Sequence, residues 1–360
     1  RHPFSEYLIS LSRFHNYFIK KNNHNLLNIS KTYNFLEKKE ILFLGAGPSL
    51  EKNLDFINTN KNKFIIVAVA ATLKILETKR IIPDIIITID GQKLVSEQFN
   101  VNKLMYENSI ILSSIKLNYK SYELLKNTNI FFFQNSLNLI NGLGFATGVT
   151  VGDIGIDILL RLGAKNLYLL GLNAAIDSTG QTHISTHSFS KKINLKKNTN
   201  NNQIDFNKTI IYVKGNFQDF VPTFMEYKEM IEEINAKLEK LDNDIIIYNL
   251  SDGAYFNNTI PTSPNEINLT KELDKINLKN NLKLNLDSIV EKELFNKFLK
   301  NFNEEKNILV KIALLKKDET FLDEFRNIQK QYLSSIALNI LEKYLMLILP
   351  YYNFIKNDNL

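Results

Sequence analysis

The strongest constraint on this chain is the run Phe64-Ile65-Ile66-Val67-Ala68-Val69, which is apolar at every position. A strand with one wet face alternates, whereas a strand covered on both faces does not, so the run predicts a buried strand of a parallel sheet. Helix-like residues 71 to 79 follow, then Ile82-Pro83-Asp84 and a second apolar run, Ile85 to Ile89, closed by Asp90. Strand, helix, strand at this spacing is a βαβ unit. Further strands are expected at Ile41 to Leu44, Ser109 to Leu112, Ile130 to Phe133, Asn166 to Leu170, Ile210 to Val213 and Ile245 to Tyr248.

The fold class that follows is α/β, a Rossmann-like, mostly parallel sheet flanked by helices. A helical lead-in occupies 1–38, where Phe4, Tyr7, Leu8, Leu11, Phe14, Tyr17 and Phe18 recur at helical spacing. The α/β domain is expected over 39–265. The remainder, 266–360, is poor in glycine and proline and repeats apolar residues at three and four, as an all-helical extension does. Val221-Pro222-Thr223-Phe224 reads as the start of a long helix to about Leu241, and residues 196–208, rich in Asn and Lys, as a flexible insertion.

Composition narrows the chemistry. The 44 basic and 38 acidic residues leave a formal charge of +6, but the lysines are spread along the chain, and a nucleic-acid surface needs them gathered on one face. With no cysteine there is no disulfide scaffold, thiolate zinc site or thiol nucleophile, and a reducing cytoplasm is the expected setting. The apolar stretch Tyr332 to Leu349 carries Glu342 and Lys343 and reads as a buried helix face, not a membrane span.

Three turns should meet at the carboxyl edge of the sheet, where open α/β sheets bind ligands. The first is Gly45-Ala46-Gly47-Pro48-Ser49-Leu50, a glycine turn opening a helix, with Pro48 suited to its first turn and Ser49 to its cap. It lacks the third glycine of a dinucleotide fingerprint, which is Leu50 here, and so argues against a nicotinamide or flavin. The second is Thr147-Gly148-Val149-Thr150, opening an amphipathic helix. Its small residues either expose N–H groups or let the helix lie close on the sheet. The third is Gly171-Leu172-Asn173, the exit of a strand.

Asp90 points to the same edge, as a site residue or as a turn aspartate bonded locally. Asp177 to Gln203 is polar and aperiodic, a loop or lid holding His183 and His187. Histidine titrates near neutrality, so His183, and after it His187, is the candidate for acid–base work. His2, His15 and His24 are too irregularly spaced for a metal cluster.

In this order, these segments resemble the bacterial motility-associated factor (Maf) proteins, flagellin glycosyltransferases of the nonulosonic acid class. The matching stretches are Gly45 to Leu50, Pro83-Asp84 with Asp90, Thr147-Gly148-Val149, Gly171-Leu172-Asn173 with Gln181-Thr182-His183, Gly215-Asn216 with Thr223, and Asn249 to Ala254, all within about 30–265. The domain is also similar to an archaeal pterin pyrophosphokinase family and to bacterial sialyltransferases that use CMP-sialic acid.

The resemblance implies a transferase moving pseudaminic or legionaminic acid from a CMP-linked donor to Ser or Thr of flagellin. It places Gly45, Ala46, Gly47, Pro48 and Ser49 on the nucleotide and phosphate, Thr147, Gly148 and Val149 on the phosphate or sugar, and Gly171, Leu172 and Asn173 on the cytidine. Gly215, Asn216 and Thr223 complete the set. Most relatives carry aspartate where this chain has Asn173, and Thr72 is left to stand where the sialyltransferases carry asparagine. No cofactor is obligatory and a divalent metal is optional, because the nucleotide already activates the sugar. The alternatives are a pterin pyrophosphokinase-like enzyme, which needs magnesium held by carboxylates, and a flagellin-binding adaptor without catalysis.

Overall fold

The computed structural model describes residues 25–135, 138–187 and 209–315 without a break, and beyond these 9–10, 12–13, 15–19, 190, 193, 320–332, 335, 338, 341–342 and 345. The insertion-like stretch 196–208, residues 1–8, 11, 14 and 20–24 of the lead-in and most of the apolar stretch after Tyr332 lie outside them.

Eight strands form one sheet in the order β10-β9-β6-β1-β2-β3-β4-β5. They are β1 (Glu40–Leu44), β2 (Ile65–Val69), β3 (Ile85–Thr88), β4 (Ile110–Ser114), β5 (Asn129–Phe133), β6 (Asn166–Leu170), β9 (Ile246–Asn249) and β10 (Ile260–Pro261). Each pairs parallel with its neighbour, so the expected Rossmann-like architecture is present. From β1 the chain builds outward through β5 on one side and then returns to lay β6 on the other, so the topology switches between β1 and β6.

Unbroken apolar runs follow from helices on both faces. Ile41, Phe43, Val67, Ile87, Leu112 and Leu169 face one core, whereas Leu42, Leu44, Ile66, Ala68 and Leu170 face the other. The second core is closed by the short helices α1 (Pro48–Lys52), α2 (Leu54–Asn60) and α3 (Leu73–Glu77) through Leu50, Ile57 and Leu76. Between β4 and β5 lies α4 (Tyr119–Leu125).

The first core is closed by α5 (Val151–Arg161) and α6 (Met225–Leu238). A capping box between Thr150 and Asp153 starts α5. Gly155 lets it lie on the sheet, since a methyl group there would stand 2.4 Å from the Phe43 ring.

The sequence places 210–213 in this sheet and a helix start at 221–224, and the structure corrects both. Ile210–Lys214 is β7 and Phe220–Phe224 is β8, and they pair antiparallel as a separate hairpin. Pro222 cannot donate to a central ladder but is tolerated here, and Thr223 turns its hydroxyl to the Ala174 carbonyl at 2.6 Å. The helix α6 begins only at Met225.

Chain contacts divide the protein into two compact units. The sheet unit comprises Asn25–Asn135 and Gly144–Val290, reaching past both 39 and 265. At its front the Leu27 amide donates to Phe132 O, at 2.8 Å. At its end α7 (Lys275–Ser288) buries Leu282 and Leu286, and the Lys275 ammonium bonds the buried Asp84 carboxylate and the Phe64 carbonyl.

The other unit comprises Arg1–His24, Ser136–Leu143 and Glu291–Leu360. In it α8 (Glu293–Ala313) and α9 (Phe321–Gln331) contribute Ile308 and Phe325 to a small core with Leu338. Among the described residues no helix is long and apolar enough to cross a membrane.

Candidate functional site at the carboxyl ends of the strands

The glycine turn after β1 and the exit of β6 meet at the topological switch, but they meet each other. The Gly47 amide donates to Gly171 O at 2.7 Å, and the Ser49 amide to Asn173 Oδ1 at 3.1 Å. A methyl group on Gly45 or on Gly47 would sit 2.6 Å from the Gly171 carbonyl oxygen. The glycines therefore admit a neighbouring main chain at the place where sequence alone expects a ligand. Spanning only Pro48–Lys52, α1 is too short to act as an anion site of its own, and Ser49 is fully buried within it.

Asn173 shows why an amide stands here. Its Nδ2 donates to Ser49 Oγ and to the Asp252 carbonyl, both at 2.8 Å, and the Asp252 amide donates to Ser49 Oγ at 2.7 Å. Three connections, after β1, β6 and β9, are thus tied through one side chain. A carboxylate could not make the two donor bonds.

The turn before α5 is also closed internally. The Thr147 amide donates to Asp157 Oδ2 at 3.1 Å and the Val149 amide to Asp153 Oδ2 at 2.8 Å. Gly148 adopts φ +147°, and a methyl group there would meet Asp153 Oδ2 at 2.4 Å. The Lys237 ammonium covers this end of the helix, 2.7 Å from Thr147 O.

Asn216 donates through Nδ2 to Asn249 O and Ser251 O, at 2.9 and 3.0 Å, while its buried Oδ1 has no partner. The neighbouring Gly215 bridges Ala254. Leu172 is buried and its amide bonds Ser251 Oγ at 3.2 Å. Thr72 is buried with its hydroxyl on Val69 O, at 2.8 Å. Asp90 follows β3, two strands from β1, and is half-buried beside Gly91, whose carbonyl accepts from Asn118.

Above the switch, the described part of the polar loop is fastened down. Asp177 Oδ1 accepts from the Thr179 amide and hydroxyl and from the Gln181 amide, at 2.7–3.0 Å. Burial by itself would raise the Asp177 pKa, but these bonds and Lys52, 3.3 Å away, bring it below the usual carboxylate range. Ile184 plugs the second core and donates its amide to Ala46 O at 2.9 Å. Ser185 bonds Glu51 through both its amide and its hydroxyl, at 2.9 and 2.7 Å.

This docking puts His183 and His187 together. Their rings stack at 4.2 Å, 14° from parallel, and the Tyr227 ring stands edge-on to His183 at 6.3 Å. Thr182 Oγ1 lies 2.9 Å from His183 Nδ1. Burial, with His187 alongside, pushes the His183 pKa down to about 3, and burial lowers that of His187. Both imidazoles are therefore neutral at physiological pH, each with one N–H donor and one lone pair.

Glu51, Lys52, Asp177 and Tyr227 were missed by sequence reasoning. The first two lie directly after the glycine turn, and Asp177-Ser178-Thr179-Gly180 has the composition of a side-chain-capped turn. Nothing local marks Tyr227. Among the described residues no three of His, Cys, Asp or Glu are grouped so as to hold a metal ion. A depression of about 400 Å³ lined by Leu36, Lys39, Ile65, Leu278 and Asn281 lies at the amino ends of β1 and β2, away from this rim.

Residues 15–179 match the family model described as 6-hydroxymethylpterin diphosphokinase MptE-like. Comparison with curated proteins gives no match. Among solved structures, a Maf glycosyltransferase from Magnetospirillum magneticum AMB-1 superposes with a TM-score of 0.59 at 16% identity, covering 87% of this chain. The chain spans about half of that protein's length, 47%. The likeness suggested by the sequence motifs is thus met twice, by an MptE-like match over 15–179 and by the fold of a Maf glycosyltransferase over most of the chain.

Proposed function

We propose that the chain is a glycosyltransferase that moves a nonulosonic acid, of pseudaminic or legionaminic type, from a CMP-activated donor to Ser or Thr hydroxyls of flagellin in the cytoplasm. The observation that carries this reading is the docked loop, which holds two neutral, stacked imidazoles over the switch between β1 and β6. The fold shared with a Maf glycosyltransferase supports it.

Transfer of such a sugar breaks the bond from the anomeric carbon to the phosphate oxygen and forms one to the acceptor oxygen, whose proton must leave. With the amides of Gly47, Ser49, Thr147 and Val149 used inside the chain, the two tasks fall to the histidine pair. One N–H faces the departing phosphate and one lone pair accepts the hydroxyl proton. A well-placed base contributes about 10²- to 10⁴-fold. Asp90, Ala46 and the rim of Gly171 to Asn173 and Asn216 border the space for the nucleotide. No resident cofactor is required.

The test is the intact mass of flagellin co-expressed with this chain and a pathway supplying a CMP-nonulosonate. Wild type should add the sugar mass, and His183→Ala and His187→Ala should each reduce it at least about 100-fold in rate. Unmodified flagellin with wild type would defeat the proposal, and unchanged modification by both variants would favour a non-catalytic, flagellin-binding role. The MptE-like match favours one further reading, diphosphate transfer to a pterin. Thermal stabilisation by ATP with magnesium, and none by cytidine nucleotides, would select it.

A further inference from the structure

The hairpin β7–β8 has two outer edges, and they are finished differently. In an antiparallel ribbon, pairs that exchange main-chain hydrogen bonds alternate with pairs that turn those groups outward. The Gly215 amide donates to Asp219 O at 3.2 Å and the Met225 amide to Thr209 O at 3.3 Å. In this register the odd residues of 209–215 bond inward, and Ile210, Tyr212 and Lys214 turn their N–H and C=O away from β8. On β8 the residue opposite Tyr212 is Pro222, which has no N–H to offer, and its carbonyl accepts from Ile176 N at 2.7 Å. On β7 the Tyr255 amide donates to Lys214 O at 2.9 Å and Ala254 bridges Gly215, and there the pairing stops. Among the described residues, the outward groups of Ile210 and Tyr212 meet no partner. Edge strands are normally guarded by a charge, a proline or a bulge, yet Ile210-Ile211-Tyr212-Val213 has no charge and no proline. Val213, Val221 and Thr223 turn toward the core, and the opposite face presents Tyr212 and Phe220, 70% and 66% exposed.

We propose that the outer edge of β7 receives an extended polypeptide segment, which adds a strand there through the main chain of Ile210 and Tyr212 and lays its side chains against Tyr212 and Phe220. A second copy of this chain does not fit the same edge. Two β7 strands related by a twofold axis run antiparallel. With Tyr212 opposite Tyr212, the copy's Ile210 and Thr209 would fall opposite Lys214 and Gly215, places that Tyr255 and Ala254 already hold. A lone segment has no folded body behind it and can leave the edge before Lys214. Its other end passes Ile210, which pairs with Phe224. The Phe224 ring is 5.8 Å from that of Tyr227, which is 6.3 Å from that of His183. The segment therefore leaves the edge on the side of the histidine pair. On the transferase reading, on which its identity rests, it belongs to the flagellin acceptor.

Hydrogen exchange of the full chain, with and without monomeric flagellin and in the absence of any sugar donor, reads the edge directly. The amides of Ile210 and Tyr212 should exchange fast in the free chain and slow down when flagellin is bound. Tyr212→Pro deletes one outward N–H and no bond to β8, as Pro222 does opposite, and should weaken flagellin binding about tenfold, the worth of one net hydrogen bond, with an unchanged melting curve. Tyr212→Lys guards the edge with a charge and should also weaken binding; it decides the matter if the proline variant fails to fold. No binding by wild type, binding that leaves the Tyr212 amide fast, or self-association of the free chain that slows this amide would each overturn the inference. Protection of the edge without sugar transfer, once a CMP-nonulosonate is supplied, counts against the transferase reading alone. Transfer with an unprotected Tyr212 amide counts against the edge alone.

Discussion

Asn173 illustrates how a single side chain decides what a rim can do. Replacing it by aspartate would remove the donor bonds to Ser49 Oγ and the Asp252 carbonyl and set a carboxylate against that carbonyl. The expected cost is about 1–3 kcal/mol, read as a lower urea midpoint with an unchanged slope. His183 gives a second prediction. Its pKa falls from 6.5 unfolded to about 3 folded, so between these values the unfolded chain binds more protons. Stability present above pH 6.5 is therefore lost as the pH falls toward 3, at up to about 1.4 kcal/mol per pH unit. Urea melts at several pH values should show that slope, and His183→Gln should flatten it. The histidine loop was legible in the sequence because polar, aperiodic chain with histidine is visible locally. The fate of the amides at 47 and 49 was not, because their acceptors lie at Gly171 and Asn173, far along the chain.

Elements were legible where the apolar period spoke for itself. The strands at 41–44, 65–69, 85–88 and 166–170 and the helix at 151–161 follow from runs that only a doubly covered sheet can bury. The hairpin β7–β8 was misread because Val221 and Phe224 have the spacing of a helix face, and only its pairing with 210–214 makes it a strand. Two predictions belong here. Gly155→Ala should gain about 1 kcal/mol of helix propensity. The new methyl, however, meets the fully buried Phe43 ring at 2.4 Å, and overpacking costs about 1–3 kcal/mol, so the net effect is destabilising and a matching Phe43→Leu should relieve it. Lys275→Met should leave the buried Asp84 carboxylate without its ammonium and cost about 3 kcal/mol, with amides of α7 exchanging faster than those of β1.

For the molecule as a whole, the parallel sheet and the gathering of turns at its carboxyl edge were derivable from the order of runs and turns, whereas the switch between β1 and β6 and the extent of the sheet unit were not. Residues 275–288 join it through Lys275 and two buried leucines, a contact that helical periodicity cannot announce. If the rim takes a cytidine nucleotide, CMP at about 100 times its Kd should add about 2.7 kcal/mol of stability, seen as a rise in melting temperature. A flat response would count against that ligand. The clasp among Gly47, Ser49, Gly171, Asn173 and Asp252 has a further consequence for anyone recombining this protein with a distant relative. The three connections behave as one inherited block: transplanting 171–176 alone would bring a stranger's carbonyl against Gly47, so a working hybrid should require 45–50, 171–176 and 249–254 to be exchanged together.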